Sequence, residues 1–395
     1  MSVRALAASV MKSRDLSRRF PGGCVALDYF GDADLLALGA TGPLRTLALG
    51  RDLGLPRSLS ALGRAALALP DGATVYAGGL ENRPGLLRRL ARRGPLLGNG
   101  ATEVAALRDP ARLFPFLAAH GIPHAATRAD LRVAPRGRHL WKPIRSGGGG
   151  GIRFAAPGER RPKGHYLQTF TDGPAGSAIV LATCSDAALL GVTRQIAGWR
   201  ALGGRGFRYG GSLLGPPGDL LDPAALAMLR RGASMIARGF GLRGLCGIDF
   251  ILERGLPKII EVNPRYTASM ELCEERSGRN LFDLHLAACE GEALPEGPLR
   301  AAPGAPRLLA KGILYAERPI LAPDPERLAG LGARDRPARG ERIEAGQPVC
   351  SIVVGGASPE ACRKLLIERA AAIRRRLRRP QHRAPTAFRE SQRSW

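Results

Sequence analysis

Long apolar runs are missing from this chain of 395 residues: no stretch of about 18 uncharged residues occurs, so no membrane-spanning helix is expected. Met1 to Phe20 carries no apolar segment ending in a small-residue cleavage site, which leaves the cytoplasm as the default compartment. Cysteine is sparse. The seven (Cys24, Cys184, Cys246, Cys273, Cys289, Cys350 and Cys362) form no Cys-x-x-Cys pair and stand near no His at metal-ligand spacing, so they read as reduced core thiols. Aromatic residues are only 5% of the chain, with no RNP-like motif and no zinc finger. A formal charge of +25 would otherwise suggest a nucleic-acid partner, but little is available to stack on bases, and that argues against one. Lysine is scarce too. The basic residues are nearly all arginine, and the six lysines are Lys12, Lys142, Lys163, Lys258, Lys311 and Lys364. Where arginine substitutes freely, a retained lysine marks a place that needs a compact ammonium.

Apolar residues make up 45% and charged residues 24%, ordinary for a globular chain, and the length implies two to four structural units. Val3 to Met11 has helix-forming residues with apolar positions at helical spacing, so a helix is predicted there, and the strand and glycine turn that should open a dinucleotide-type unit are not evident. Strand-like Cys24 to Phe30 and Thr74 to Gly78, the helix-like Arg83 to Arg93, and a strand end at Leu96 to Asn99 imply a parallel, Rossmann-like sheet. Asp109-Pro110 opens a helix that Gly121 closes. Short strands then follow from His139 onwards, with helices at Pro223 to Phe240 and Asn280 to Glu290. Beyond Gly291, strands at Lys311 to Ala316 and Pro348 to Val354 precede a long helix opened by Ser358-Pro359-Glu360. The expected division is residues 1–100, 101–291, 292–379 and a disordered basic tail at 380–395.

The strongest chemical signal is Gly247-Ile248-Asp249-Phe250-Ile251-Leu252 followed by Ile259-Ile260-Glu261-Val262-Asn263-Pro264-Arg265. A tight Glu253-Arg254-Gly255 turn makes these a hairpin, which brings Asp249 and Glu261 together as cross-strand neighbours. Two carboxylates and the Asn263 amide oxygen are hard ligands of the kind Mg²⁺ takes alongside nucleotide phosphates. Far upstream, Trp141-Lys142-Pro143 precedes the glycine run Gly147, Gly148, Gly149, Gly150 and Gly151. Backbone N–H groups of such a loop can fold over phosphates while Lys142 supplies a point charge. The order excludes a Walker loop, in which the lysine follows the glycines and a helix begins at once.

Together these blocks resemble the ATP-grasp superfamily over roughly Ala101 to Gly291. The resemblance implies a Rossmann-like N-terminal domain, a two-lobed ATP-grasp α+β core and a small C-terminal α/β domain. It implies ATP and Mg²⁺ (or Mn²⁺) as cofactors, with Asp249, Glu261 and Asn263 on the metal. Lys142 and Gly147 to Gly151 fall on the phosphates, and Tyr166-Leu167-Gln168-Thr169-Phe170 stands at the adenine hinge, where Gln168 replaces the common glutamate. Arg265 falls near the substrate carboxylate or acyl phosphate. Arg194, within Thr193-Arg194-Gln195, and Tyr209-Gly210-Gly211-Ser212 would line the substrate side. The family often has a second nucleotide lysine where this chain has Asp109-Pro110, and Arg112 is the candidate substitute. Leu27 to Asp34, Gly79-Leu80-Glu81 and Leu97-Gly98-Asn99 look like a narrower group, predicted ATP-grasp carboligases related to biotin carboxylase, some of which accompany one-carbon cofactor genes of the methanofuran and methanopterin type. The expected activity is ADP-forming carbon–nitrogen ligation of a small carboxylate and an amine through an acyl phosphate. A homodimer is compatible with that expectation. The alternatives are a kinase-like phosphotransferase and a non-catalytic ATP-binding regulator.

Overall fold

The computed structural model describes residues 3–6, 23–39 and 44–378. Four short strands, β1 (Val3–Leu6), β2 (Cys24–Asp28), β3 (Leu44–Ala48) and β4 (Ala73–Tyr76), form a wholly parallel sheet in the order β3-β2-β1-β4. β2 and β4 are brief, mostly apolar and largely buried runs, as strands covered on both faces should be, whereas β3 exposes Arg45. Helix Leu59–Ala68 follows β3, its first turn capped by the Ser58 hydroxyl, which accepts from the Ala61 amide. The strand order reverses at β1, so the crevice beyond the carboxyl ends of β1 and β4 is the switch point where such sheets place ligands.

The predicted opening helix is corrected here. Val3–Leu6 is a strand hydrogen-bonded on both sides, and the rest of Val3 to Met11 lies outside the described residues. Pairing to two neighbours outweighs the helical preference of a four-residue Val-Arg-Ala-Leu segment. The Leu96 to Asn99 segment contributes only a parallel bridge between Thr74 and Leu96. The tail at 380–395 is outside the described residues.

A small antiparallel sheet follows, from β5 (Thr127–Arg128), β6 (His139–Pro143), β7 (Arg153–Phe154) and β8 (His165–Thr169), ordered β5-β8-β6-β7. The largest sheet has eight strands. It uses β9 (Ala175–Thr183), β10 (Asp186–Ala197), β11 (Tyr209–Leu214), β12 (Arg243–Glu253), β13 (Leu256–Asn263) and β14 (Leu308–Tyr315), all antiparallel neighbours. A two-stranded piece, β15 (Ile320–Leu321) with β17 (Arg342–Ile343), stands apart, while β16 (Ala333–Arg334) and β18 (Pro348–Gly356) complete the large sheet in the order β13-β12-β9-β10-β11-β14-β18-β16.

Alternation along β9 explains why this sheet is covered on both sides. Ala178, Val180 and Ala182 face the helix Pro223–Phe240, while Ile179 and Leu181 face Leu281–Cys289. The first helix begins at Pro223 with Asp222 capping the Ala225 amide, and ends at Gly241, whose φ of 64° only glycine adopts without strain. It buries Leu229, Ala233, Ile236 and Ala237 at helical spacing, so Leu229→Ala would cost about 2–5 kcal/mol. Helix Pro359–Arg378 packs against β14 and β18 through Cys362, Leu366, Ala370 and Ile373. Among the described residues, no helix is long and apolar enough to cross a membrane.

Candidate active site

The carboxylate pair is built by the β12–β13 hairpin. Arg254 (φ 51°) and Gly255 (φ 82°) form its two-residue turn, both left-handed, which suits the right-handed strand twist. The resulting register sets Asp249 opposite Glu261 and Gly247 opposite Asn263. A bulge between Asp249 and Phe250 leaves Ile260 without a cross-strand partner and turns its carbonyl towards Lys142 and Gln168, at 3.3 and 3.5 Å. Asp249 accepts from Asn263 Nδ2 at 3.1 Å and from Gln195 Nε2 at 2.9 Å. Burial pushes the Asp249 carboxyl up to about 6, and the facing Glu261 charge adds to that push.

Lys142, on β6, is 5% exposed and is held by neutral oxygens, Gln168 Oε1 at 3.0 Å and the Ile260 carbonyl. Among the described residues no carboxylate lies within ion-pair distance of it. An ammonium so placed lacks an anion. Gln168 is buried and bonded to Lys142 and to the Thr127 hydroxyl at 3.0 Å, so its side chain braces the lysine rather than forming an open hinge surface. Gln168, Thr169, Phe170 and Thr171 all line the cleft. Phe170 also stands against Phe154 and Phe207, with ring centroids at 5.2 and 6.4 Å, and Arg138 lies 4.0 Å from its centroid.

Gly147, Gly148 and Gly149 line the same cavity of about 260 Å³ as Lys142, Asp249, Glu261 and Asn263. Gly150 and Gly151 do not. They face a neighbouring cavity bordered by Arg200, Arg205 and Arg208, which corrects their expected place. The loop tip rests on the start of β11: the Tyr209 amide donates to the Gly148 carbonyl at 2.9 Å, and a Cβ on Gly149 would meet the Phe207 carbonyl at 1.9 Å.

Two further corrections concern arginines. Arg194 is exposed and does not line the cleft, because the pleat turns its neighbours Thr193 and Gln195 inward instead. Arg112 is exposed as well, and it is Arg108 that reaches Glu261 and borders a small cavity beside the glycine loop. Arg108 pairs with Glu261 through Nη1. Its Nη2 donates to Asn82 Oδ1, the Ile144 carbonyl and the Ser146 carbonyl at 3.1, 3.0 and 2.7 Å, which ties the glycine loop to the N-terminal sheet's 3₁₀ turn. Arg265 is paired with buried Glu81 at 2.7 Å and borders two cavities, the one just described and a second on the far side. Neither Arg108 nor Glu81 carries a local sequence signal; the Gly79-Leu80-Glu81 segment stands out only through its resemblance to the narrower carboligase group.

Residues 109–269 match the ATP-grasp domain family. The chain carries an ATP-grasp domain. A 91-residue segment, 23% of the chain, is 33% identical to the carbamoyl phosphate synthase large chain of Thermoplasma acidophilum, and the chain spans about 9% of that relative's length. Biotin carboxylase of Campylobacter jejuni is similar in fold, with a TM-score of 0.67 at 15% identity over 92% of this chain and 89% of that one. The L-amino acid ligase of Bacillus licheniformis gives 0.64 at 16% identity, over 94% and 97%. At such identities the likeness establishes the fold.

The ATP-grasp cleft suits a magnesium–nucleotide in its donor chemistry. Among the described residues no three His, Cys, Asp or Glu side chains gather to hold a metal unaided. Two carboxylates and one amide leave positions for phosphate oxygens and water, the mixed oxygen shell that Mg²⁺ adopts in nucleotide sites.

Proposed function

We propose that this protein is an ATP-dependent, ADP-forming ligase that joins a small carboxylate to an amine. The observation that carries the reading is a buried Lys142 with no acid partner, set across one cavity from the Asp249, Glu261 and Asn263 oxygens. An ammonium short of an anion beside an Asp249 carboxylate that no Lys or Arg reaches among the described residues is an arrangement that a magnesium triphosphate completes on both counts. The ATP-grasp family match and the folds of biotin carboxylase and an amino acid ligase support the same reaction class.

Asp249, Glu261 and Asn263 would hold Mg²⁺, which when bound neutralises phosphate charge. Lys142 draws the γ-phosphoryl oxygens, and the amides of Gly147, Gly148 and Gly149 cover them. Thr169 and Phe170 position the base. A carboxylate oxygen of the substrate attacks the γ-phosphorus, the bond to the bridging oxygen breaks, and ADP leaves. The amine nitrogen then attacks the acyl carbon, phosphate departs, and the nitrogen loses a proton to give the amide. The glycine loop excludes water from the acyl phosphate between the two steps. Arg265 lies between the two cavities and would orient the carboxylate by a bidentate contact. Arg108, already braced by Glu261, reaches the loop from the other side.

The test is a screen for ADP and phosphate release with paired acids and amines, beginning with glutamate and aryl or furan amines. These choices follow the resemblance to ligases of one-carbon cofactor assembly. The expected outcome is Mg²⁺-dependent release that requires both partners, with an amide as product. A stable phosphorylated product without an amide would contradict ligation and favour a kinase. Loss of turnover in Glu261→Ala separates an enzyme from a nucleotide-binding regulator.

A further inference from the structure

A second cavity, of about 370 Å³, adjoins the ATP-grasp cleft and shares Arg265, Thr267 and Ala268 with it. It lies at the carboxyl ends of β2 and β4, bordered by Asp28, Ala77 and Gly78, and its far wall comes from β14, β18 and Asp335. This is the switch-point crevice of the parallel sheet, the place where such sheets hold ligands.

Its charges do not cancel. Arg265 is paired with Glu81, Lys311 with Glu271, and Glu341 with Arg57. That leaves Asp28 and Asp32 without a cation among the described residues, and Asp335 with only a share of Lys311 and with the Ser351 hydroxyl, which donates to its Oδ2 at 2.5 Å. The Lys311 ammonium is 3.8 Å from Asp335 but sits closer to Glu271, and among the described residues no Lys or Arg reaches ion-pair distance of Asp28 or Asp32. Asp32 is 8% exposed. Its Oδ1 accepts from the Leu35 amide at 3.0 Å and so caps helix Ala33–Gly39; among the described residues no hydrogen bond reaches its Oδ2, and the residue borders the cavity. Burial pushes the Asp32 carboxyl up to about 8, with the charges of Asp335, Asp28 and Asp34 adding to the push. Burial raises Asp28 likewise, although its Oδ2 accepts from the Phe30 and Gly31 amides at 2.7 and 2.5 Å. A largely buried carboxylate that no cation reaches is costly unless a ligand supplies the positive charge.

We propose that this cavity binds the ammonium group of the acceptor substrate, with Asp28, Asp32 and Asp335 as its carboxylate partners and Arg265 at the passage to the nucleotide cleft. Among the described residues no three carboxylates come close enough to share a metal ion, which favours an organic ammonium with several N–H donors over a divalent cation. The inference rests on the ligase reading for its role, since the amine, having passed one ammonium proton to a facing carboxylate, must reach an acyl phosphate formed next door. Its charge preference stands on the cavity alone.

The experiment is a calorimetric titration of the full chain with three isosteric probes, benzylammonium, benzyl alcohol and phenylacetate, with and without MgADP. The expected order is ammonium first and carboxylate last, separated by about tenfold or more, because a like charge facing the cluster is repelled. Asp28→Asn with Asp32→Asn should erase that order while leaving MgADP affinity within about twofold. Asparagine preserves the helix cap at position 32, and a circular dichroism melt of the variant verifies folding. A flat or reversed order in the parent protein overturns the proposal. So does an unchanged order in the folded double variant, or protection by Mg²⁺ alone with none from the ammonium. Failure of MgADP to bind would instead sink the ligase reading, and the probe order without nucleotide would still decide this one.

Discussion

The two sides of Arg265 are built on opposite principles. On the nucleotide side nearly every charged group is already engaged: Glu261 by Arg108, Asp249 by Asn263 and Gln195, and Lys142 by Gln168 and the Ile260 carbonyl. These groups come mainly from one hairpin and one strand, so their geometry is set by local register. On the far side Asp28, at the end of β2, and Asp32, the cap of helix Ala33–Gly39, meet Asp335 from the loop after β16, roughly 300 residues further along the chain, and no cation reaches Asp28 or Asp32 among the described residues. Preorganisation serves a ligand of fixed shape such as a nucleotide. An under-matched cavity serves selection by charge, with the ligand supplying what the protein lacks.

That contrast can be broken most forcefully on the nucleotide side. Asp249→Asn or Glu261→Gln should lower kcat by roughly 10²–10³-fold in a steady-state ADP-release assay, since each removes electrostatic stabilisation where charge develops. An effect within threefold would remove the pair from the chemistry. Next in size, Lys142→Met should cost about 2–4 kcal/mol in kcat/KM for ATP, and Lys142→Arg should restore little, because a planar fork does not fit a pocket shaped by Gln168 and Ile260.

Arg108→Ala should raise the KM for ATP about tenfold, while Arg112→Ala should change it by less than about twofold, since the first residue is bound into the cleft and the second is exposed. Equal effects would undo the placement. The smallest expected effect concerns stability against pH. The folded pKa of Asp32 is about 8, above the ordinary carboxylate value, so its contribution is complete below about pH 4 and is lost as pH rises through 8. Asp28, Asp34 and Asp335 face it and raise that value; the Leu35 amide opposes them. Asp32→Asn should therefore gain on the parent in Tm as pH goes from 5 to 9, by on the order of several °C. A Tm difference independent of pH would show that Asp32 does not titrate in that window.

How much of this was legible in the sequence follows from how far apart the contributing residues lie. Asp249, Glu261 and Asn263 were readable because a two-residue turn fixes their register, and a strand pair with a tight turn needs no tertiary knowledge. Val3–Leu6 was misread because four residues of mixed propensity are decided by the two strands flanking them, which are distant in sequence. Arg194 was misplaced for a different reason. Bulges on β10, between Leu189 and Gly191 and again at Ile196, reset which residues face inward, and a bulge has no reliable composition. Arg108 was missed because its partner Glu261 is 153 residues away, and only the packing of helix Ala101–Leu107 beside β13 brings them together. Gln168 lies on a strand, as its sequence context predicts, but its side chain bonds the lysine, since the strand's pleat buries Gln168 and exposes Thr169.

The most direct test of the central claim is a calorimetric titration of ATP into the parent protein and into the Asp249→Asn, Glu261→Gln double variant, each with Mg²⁺ and with chelator. The account predicts binding to the parent that weakens at least about tenfold without Mg²⁺ and a double variant indifferent to the metal. ATP affinity that ignores Mg²⁺ in the parent, or a Mg²⁺ response that survives in the double variant, would contradict it.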